Sequence, residues 1–156
     1  MTWRPDLTVA AIVQRDDRFL VVEERIRKQL VFNQPAGHVE DGESILDAVV
    51  RETLEETAWH FQPRHLLGLY QWRSAETGRS FLRVAISGDV GGHEPQRPLD
   101  SGIVAAHWLT REQLLAQPSR LRSPLVLACI DDHLAGRRHD LSALSHLDCP
   151  AIARSA

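Results

Sequence analysis

The chain lacks several features that would assign it at once to a special class of protein. It has only two cysteines, Cys129 and Cys149, without the spacing of metal-binding cysteines. Two isolated thiols suit a reducing compartment better than a disulfide framework. No apolar run approaches the length of a transmembrane helix, and the first six residues contain no signal-peptide core. We therefore expect a cytoplasmic protein that does not associate with a membrane.

A large excess of charge is also missing. The formal net charge is -3, and the 18 basic residues are spread along the chain instead of forming a block. A nucleic-acid polymer is therefore not an expected partner, because its binding needs a concentrated positive surface. The 156 residues, 43% of them hydrophobic, are enough for one globular domain with a sizeable core. We predict a domain over residues 1–140 and a loosely packed tail over residues 141–156.

The domain alternates between β-rich runs and helical segments. Residues 7–13 and 19–22 predict a hairpin, because the polar segment between them suits a turn. Gly-rich residues 88–102 predict a long loop, and Ser123 is expected to cap a last helix over residues 124–135. Further strands are predicted over residues 30–34, 66–72, 81–87 and 104–108, with a short helix after Thr110. This order predicts an α+β fold, in the form of an α/β/α sandwich.

One predicted helix, over residues 43–57, is unusually acidic. Glu52, Glu55 and Glu56 stand at positions i, i+3 and i+4 and share one helix face, while the apolar residues form another stripe. We expect the three carboxylates to point outward. Their mutual repulsion would be offset by Mg²⁺, which prefers oxygen ligands and bridges to phosphates. The alternative is a solvated acidic face whose repulsion is relieved by Arg51 and other cations.

Residues ahead of this helix extend the acidic pattern into a longer motif. Gly37, Glu43 and Arg51 precede the three glutamates in the segment GHVEDGESILDAVVRETLEETAW, residues 37–59. This segment resembles a Nudix box, and the six invariant positions up to Glu56 all fit that family. Two positions depart from the pattern: Thr53 replaces an aliphatic residue, and Ala58 replaces a glycine. Ala58 must therefore accept a positive φ or end the helix differently.

The resemblance implies a Nudix-type α/β/α sandwich with a mixed sheet and a Mg²⁺ site, for which Mn²⁺ is a possible substitute. The implied ligands are the carboxylates of Glu52, Glu55 and Glu56 and the carbonyl of Gly37. Glu52 is implied as a further ligand or as the base that activates water, with Arg51 and Glu43 orienting the carboxylates. The alternatives are an ordinary surface cation at Arg51 and a helix-terminal charge at Glu43. Three loop acids are candidates for a base outside the box: Glu76, Glu94 and Asp100.

Segments outside the box are similar to the bacterial NudJ-type phosphatases. These segments are residues 33–38, 71–72, 81–83 and 121–126. The resemblance implies release of inorganic phosphate from nucleoside di- and triphosphates and from thiamine-type pyrophosphates. Trp72 is then expected to stack on a heteroaromatic ring, and Arg83 or Arg122 to meet phosphate oxygens. His38 is a candidate for a phosphate contact or a proton shuttle.

Three of these four substrate-binding candidates have a simpler interpretation. Trp72 suits a core aromatic, His38 an exposed loop residue, and Arg122 a cation near a helix cap. Two other functions also fit the motif: a pyrophosphatase for ADP-ribose or other nucleoside diphosphate compounds, and a non-catalytic nucleotide-binding sensor. A di-metal oxidase bundle fits poorly, because a second Glu-x-x-His helix is missing. The expected partner is a small phosphoanhydride, and the expected assembly is a monomer or a homodimer.

Overall fold

The computed structural model describes residues 1–147. Within this range the strands are β1 (Asp6–Ile12), β2 (Gln14–Arg15), β3 (Arg18–Ile26), β4 (Gln29–Asn33), β5 (Ala36–His38), β6 (His60–Arg73), β7 (Ser80–Gly91) and β8 (Ile103–Thr110). The α-helices are α1 (Ile45–Thr57), α2 (Arg111–Leu115) and α3 (Leu125–Leu134). No helix in the described part of the chain is both long and apolar enough to span a membrane.

The first sheet is mixed and lies between two helices. Its strand order is β5-β1-β7-β6, with β1 and β7 parallel and the other pairs antiparallel. Along β1, Ala10 and Ile12 face the core that contains α3, whereas Val9 and Ala11 face the core that contains α1. This alternation follows from the two-residue period of a strand. The predicted α+β sandwich with a mixed sheet is confirmed.

The predicted hairpin of residues 7–13 and 19–22 is wrong. β1 pairs with β5 and β7 in the first sheet, and only the two residues of β2 turn back onto β3. β3 belongs to the second sheet, between β4 and β8. The physical reason is that residues 9–13 are buried on both faces, which suits a central strand with a parallel partner.

The longest pairing is the antiparallel hairpin of β6 and β7, which confirms the predicted strands and extends them. The loop predicted from Gly88 begins later, because β7 continues to Gly91. A Cβ at Gly88 would lie 2.1 Å from the Gln62 carbonyl oxygen, so glycine lets β6 approach closely there.

Helix α1 begins at Ile45, two residues later than predicted. Ser44 is its N-cap, and the Ser44 hydroxyl accepts a hydrogen bond from the Asp47 N–H at 3.0 Å. Glu43 therefore lies outside the helix. At the other end Ala58 adopts the left-handed conformation with φ 60°, so this position keeps the backbone shape that glycine usually supplies. Thr53, which stands at the aliphatic position of the box, is fully buried on the apolar stripe.

The C-terminal elements follow the sequence closely. Thr110 and Gln113 form the predicted capping box of α2, and the Ser123 hydroxyl accepts a hydrogen bond from the first residue of α3. Leu141 and Leu144 pack against the core beside α1, so the beginning of the predicted tail is not loosely packed. The domain boundary at residue 140 stays a prediction, and Cys149 lies outside the described residues.

Candidate active site

Helix α1 carries the three predicted carboxylates, but their exposure differs. The side chain of Glu55 is 37% exposed, and that of Glu52 is 12% exposed. Glu56 is buried, so the expectation that all three point outward is wrong for this residue. Its face of the helix turns toward β5, where its Oε1 accepts a hydrogen bond from the Ala36 N–H at 2.7 Å.

Burial and mutual repulsion perturb the carboxylates of this cluster. Burial, together with the charges of Glu52, Glu24 and Asp100, raises the pKa of Glu56 to about 9, although the hydrogen bond from the Ala36 N–H acts in the opposite direction. Burial also raises the pKa of Glu52, although Arg51 acts in the opposite direction. The partly buried surroundings therefore disfavour the ionised form of these carboxylates, and a bound cation would stabilise their negative charge.

Gly37 lies directly against the carboxylate of Glu52. A Cβ at Gly37 would stand 2.1 Å from Glu52 Cδ and 2.2 Å from Oε1, which no side chain can tolerate without displacing the carboxylate. The φ of Gly37 is not positive, so the requirement for glycine is steric. The invariant glycine of the box thus leaves space for the first of the three glutamates.

Arg51 connects the loop before α1 to the carboxylate face. Its guanidinium donates to Glu43 through two N–H groups at 2.7 and 2.9 Å, and to the His38 carbonyl at 3.0 Å. Nη1 donates to Glu52 at 2.9 Å and to Glu55 at 3.2 Å. The hydrogen bonds that Arg51 donates to Glu43 lower the pKa of Glu43. Neither a plain surface cation nor a helix-terminal charge describes this pair.

Two acids from other elements join the cluster. Asp100, one of the three candidate loop acids, donates its backbone N–H to the Glu55 carbonyl at 2.9 Å, and its charge acts on Glu52 and Glu56. Glu24 on β3 also acts on Glu56, and burial raises the pKa of Glu24. Glu24 was not predicted as a site residue, although two carboxylates, Glu23 and Glu24, directly follow the apolar run of residues 19–22.

The other two candidate acids are engaged elsewhere. Glu76 pairs with Arg27 at 3.1 Å, and Glu94 pairs with His60 at 3.0 Å. Neither is among the groups that most affect the pKa of Glu52 or Glu56. Of the three loop acids, Asp100 is therefore the one that the fold brings to the box.

A cleft of about 180 Å³ brings the predicted substrate-binding residues to the same place. Its lining includes the side chains His38, Trp72, Arg83 and Arg122 together with Glu24 and Gly37 from the acidic side. Trp72 is half-buried and stacks on Phe81, with ring centroids 5.5 Å apart, so it is neither fully in the core nor free. His38 is exposed and lies 3.6 Å from Asp6.

The two arginines of the cleft differ sharply. Arg122 is exposed, and its backbone N–H donates to the Phe32 carbonyl at 2.8 Å. Arg83 is 4% exposed and donates to the side-chain oxygens of Gln34 at 2.8 Å and Asn33 at 3.0 Å. These two amides were not predicted as site residues, because nothing in the local sequence pattern shows that β4 and β7 meet there.

The oxygen-rich donor set suits a hard divalent cation. Within residues 1–147, no three acidic, histidine or cysteine side chains converge in ligand geometry, and Glu52 and Glu55 both accept hydrogen bonds from Arg51. The raised pKa values of Glu24, Glu52 and Glu56 nevertheless show carboxylates in need of positive charge. The residues present therefore fit a divalent cation in their chemistry, and binding one would require Glu52 and Glu55 to exchange contacts with Arg51 for contacts with the ion.

Comparison with known proteins agrees with this geometry. The model of the NUDIX domain matches residues 4–128. The chain belongs to the Nudix family of hydrolases, whose members generally use divalent metal ions.

Individual relatives narrow the class further. The chain is 37% identical over 148 residues to the phosphatase NudJ of Escherichia coli K12, covering 95% of both chains. It superimposes on a NUDIX hydrolase from Nitrosomonas europaea with a TM-score of 0.91 and 45% identity, covering 92% of this chain and 98% of the other. An ADP-ribose pyrophosphatase from Streptococcus suis shares the fold alone, with a TM-score of 0.64 and 21% identity over 86% of this chain and 93% of that one. The chain is thus a Nudix hydrolase of the NudJ phosphatase type.

Proposed function

We propose that the protein is a Mg²⁺-dependent hydrolase that releases inorganic phosphate from nucleoside di- and triphosphates and from thiamine-type pyrophosphates. The observation that carries this proposal is that one cleft is lined by a carboxylate side, with Glu24 and Gly37, and by a cationic side, with Arg83 and Arg122. A metal-bound phosphoanhydride matches this lining, because carboxylates can bind its metal ion while arginines bind its phosphate oxygens.

In this proposal Glu52, Glu55, Glu56 and the Gly37 carbonyl hold Mg²⁺, and Mn²⁺ can substitute for it. The metal supplies Lewis-acid polarisation of the phosphate and lowers the pKa of bound water. Glu52 is a further ligand or the base that accepts a proton from the attacking water, and Asp100 is a second candidate for that base. Arg51 and Glu43 orient the carboxylates through the hydrogen bonds described above.

The cationic side binds the substrate. Arg83 and Arg122 contact phosphate oxygens, Trp72 stacks on the heteroaromatic part, and His38 is placed at the cleft for a phosphate contact. The cleft is smaller than the roughly 300 to 1,000 Å³ of a typical ligand site. A neighbouring groove of about 680 Å³ shares Phe81 and Arg122 with it. We therefore assign the phosphates and the ring that stacks on Trp72 to the cleft, and the rest of a large substrate to the groove.

A substrate panel tests this function. The panel contains ADP, ATP, thiamine pyrophosphate and ADP-ribose, each incubated with Mg²⁺ or with a chelator, and inorganic phosphate and nucleotide products are both measured. The proposal predicts direct phosphate release from several substrates, which stops with the chelator. Nucleoside monophosphate from ADP-ribose without direct phosphate release would support a pyrophosphatase instead. Binding without turnover of any substrate would support a nucleotide sensor.

The location and the assembly of the protein are part of the proposal. A cytoplasmic location agrees with the low cysteine content. The monomer or homodimer remains a prediction, which sedimentation of the purified protein would test.

A further inference from the structure

Arg83 is a buried cation without a carboxylate partner. The residue is 4% exposed, and no Asp or Glu oxygen of residues 1–147 lies within 4.0 Å of its guanidinium nitrogens. Its Nε is buried and makes no hydrogen bond within the same range. A buried charge is normally paired, because its desolvation is otherwise uncompensated. Arg83 therefore lacks the negative charge that its environment calls for.

The partners of Arg83 in the protein are neutral. Nη1 donates to Gln34 Oε1 at 2.8 Å and approaches Cys129 Sγ at 3.8 Å, and Nη2 donates to Asn33 Oδ1 at 3.0 Å. Burial raises the pKa of the Cys129 thiol, which keeps it protonated and uncharged near neutral pH. These groups fix the guanidinium plane but leave its charge intact.

The orientation of Gln34 is itself fixed. Gln34 is 2% exposed, and its Nε2 donates to the Val126 carbonyl of α3 at 2.8 Å. Its amide oxygen must therefore face Arg83. Since α3 holds the amide and the amide holds the guanidinium, Gln34 is a positioning residue that places Arg83 at the lining of the cleft.

We propose that Asn33 and Gln34 hold Arg83 as an uncompensated cation, so that an anionic oxygen of the ligand in the cleft supplies the missing negative charge. The inference rests on the proposed function in taking this ligand to be a phosphate group of the substrate. It goes further in assigning the strongest anion contact to Arg83 and in requiring neutral side chains at positions 33 and 34. Ligands with an uncharged group at this end of the cleft are excluded.

The variant Asn33→Asp tests the proposal directly. It exchanges the amide oxygen that faces Arg83 for a carboxylate of the same shape, and no hydrogen bond of Asn33 Nδ2 within residues 1–147 is lost. Arg83 then gains an internal counter-ion. We expect Kd for inorganic phosphate, measured by calorimetry, to rise about tenfold or more. The thermal unfolding midpoint should stay equal or rise.

A second variant separates charge from structure. Asn33→Ala removes the hydrogen bond without adding charge, so it should lower the unfolding midpoint yet weaken phosphate binding less than Asn33→Asp does. The unfolding midpoint should be lowest with Ala at position 33 and at least as high with Asp as with Asn. Phosphate affinity, in contrast, should be highest with Asn, lower with Ala and lowest with Asp. A purely structural role for Asn33 would give the same order in both measurements.

The control is Gln71→Glu, which adds the same charge at an exposed position of β6. Its phosphate affinity should match that of the parent protein. Parent-like phosphate binding by Asn33→Asp, or no phosphate binding by the parent, would overturn the proposal. Because these are binding measurements, they remain decisive even if the parent hydrolyses no member of the substrate panel, a result that would defeat the proposed function alone.

Discussion

The carboxylate cluster of α1, which borders the cleft at Gly37 and is called the acidic side here, handles unbalanced charge differently from the cationic side with Arg83 and Arg122. On the acidic side, Arg51 acts as an internal counter-ion that contacts Glu43, Glu52 and Glu55. On the cationic side, Arg83 has only neutral partners. The acidic side is therefore partly neutralised before any ligand arrives, and the cationic side is not. A ligand that carries a divalent cation at one end of its phosphates and free anionic oxygens at the other fits both sides.

The largest expected effect comes from Glu56 on the acidic side. Glu56→Gln keeps the shape of the side chain and an oxygen for the Ala36 N–H, but it removes a ligand charge. We expect kcat/KM for phosphate release to fall by about 100-fold or more, with an unfolding midpoint no lower than that of the parent. Glu112→Gln on the exposed face of α2 is the matched control. Full activity of Glu56→Gln would contradict the metal assignment.

A smaller effect is expected when the space beside Glu52 is filled. Gly37→Ala places a methyl group where the Glu52 carboxylate now lies, so the carboxylate must move. We expect kcat/KM to fall about tenfold and the free energy of unfolding to fall by about 1 to 3 kcal/mol. Gly91→Ala is the control, because a Cβ there meets no atom within 4 Å. Equal behaviour of the two variants would refute the steric role of Gly37.

A change at Trp72 tests whether the cationic side also binds the ring of the substrate. Trp72→Leu keeps an apolar side chain against Phe81 but removes the ring available for stacking. We expect KM for thiamine pyrophosphate to rise about fivefold, with little change in kcat, because stacking contributes about 0.5 to 1.5 kcal/mol. KM for inorganic pyrophosphate, which has no ring, should stay the same. A parallel rise for both compounds would assign Trp72 to the core instead.

The smallest effect is expected for an ion pair beyond the cleft. Arg27 and Glu76 pair at 3.1 Å across the neighbouring groove, with side chains 70% and 80% exposed. Arg27→Ala should change the free energy of unfolding by less than about 1 kcal/mol and leave KM for ADP unchanged. A large rise in that KM would show that the groove, and not the buried Arg83, supplies the main anion contact.

The sequence predicted the acidic helix well because its information is local. The spacing of Glu52, Glu55 and Glu56 fixes their common helix face, and Ser44 and Ala58 act within one turn of the helix ends. What the spacing does not contain is depth: Glu56 is buried only because β5 packs beside α1. The error about its exposure came from this non-local contact.

The cationic side was harder to predict for the same reason. Trp72, Arg83 and Arg122 were recognised as separate candidates from the family resemblance, and the fold brings all three to one cleft. Their link to Asn33 and Gln34 depends on β4 and β7 lying close together although they belong to different sheets. The misplaced hairpin has a similar origin, because β1 pairs in parallel with β7, where Asp6 lies opposite Phe81, far along the chain. No local pattern encodes that pairing.

Titration of the protein with Mn²⁺, followed by electron paramagnetic resonance, tests the central claim most directly. We expect the parent protein and Glu112→Gln to bind Mn²⁺ with equal affinity and Glu56→Gln to bind it at least about tenfold more weakly. Mn²⁺ binding that is undetectable in the parent, or equally strong in Glu56→Gln, would contradict the assignment of the acidic side as a metal site.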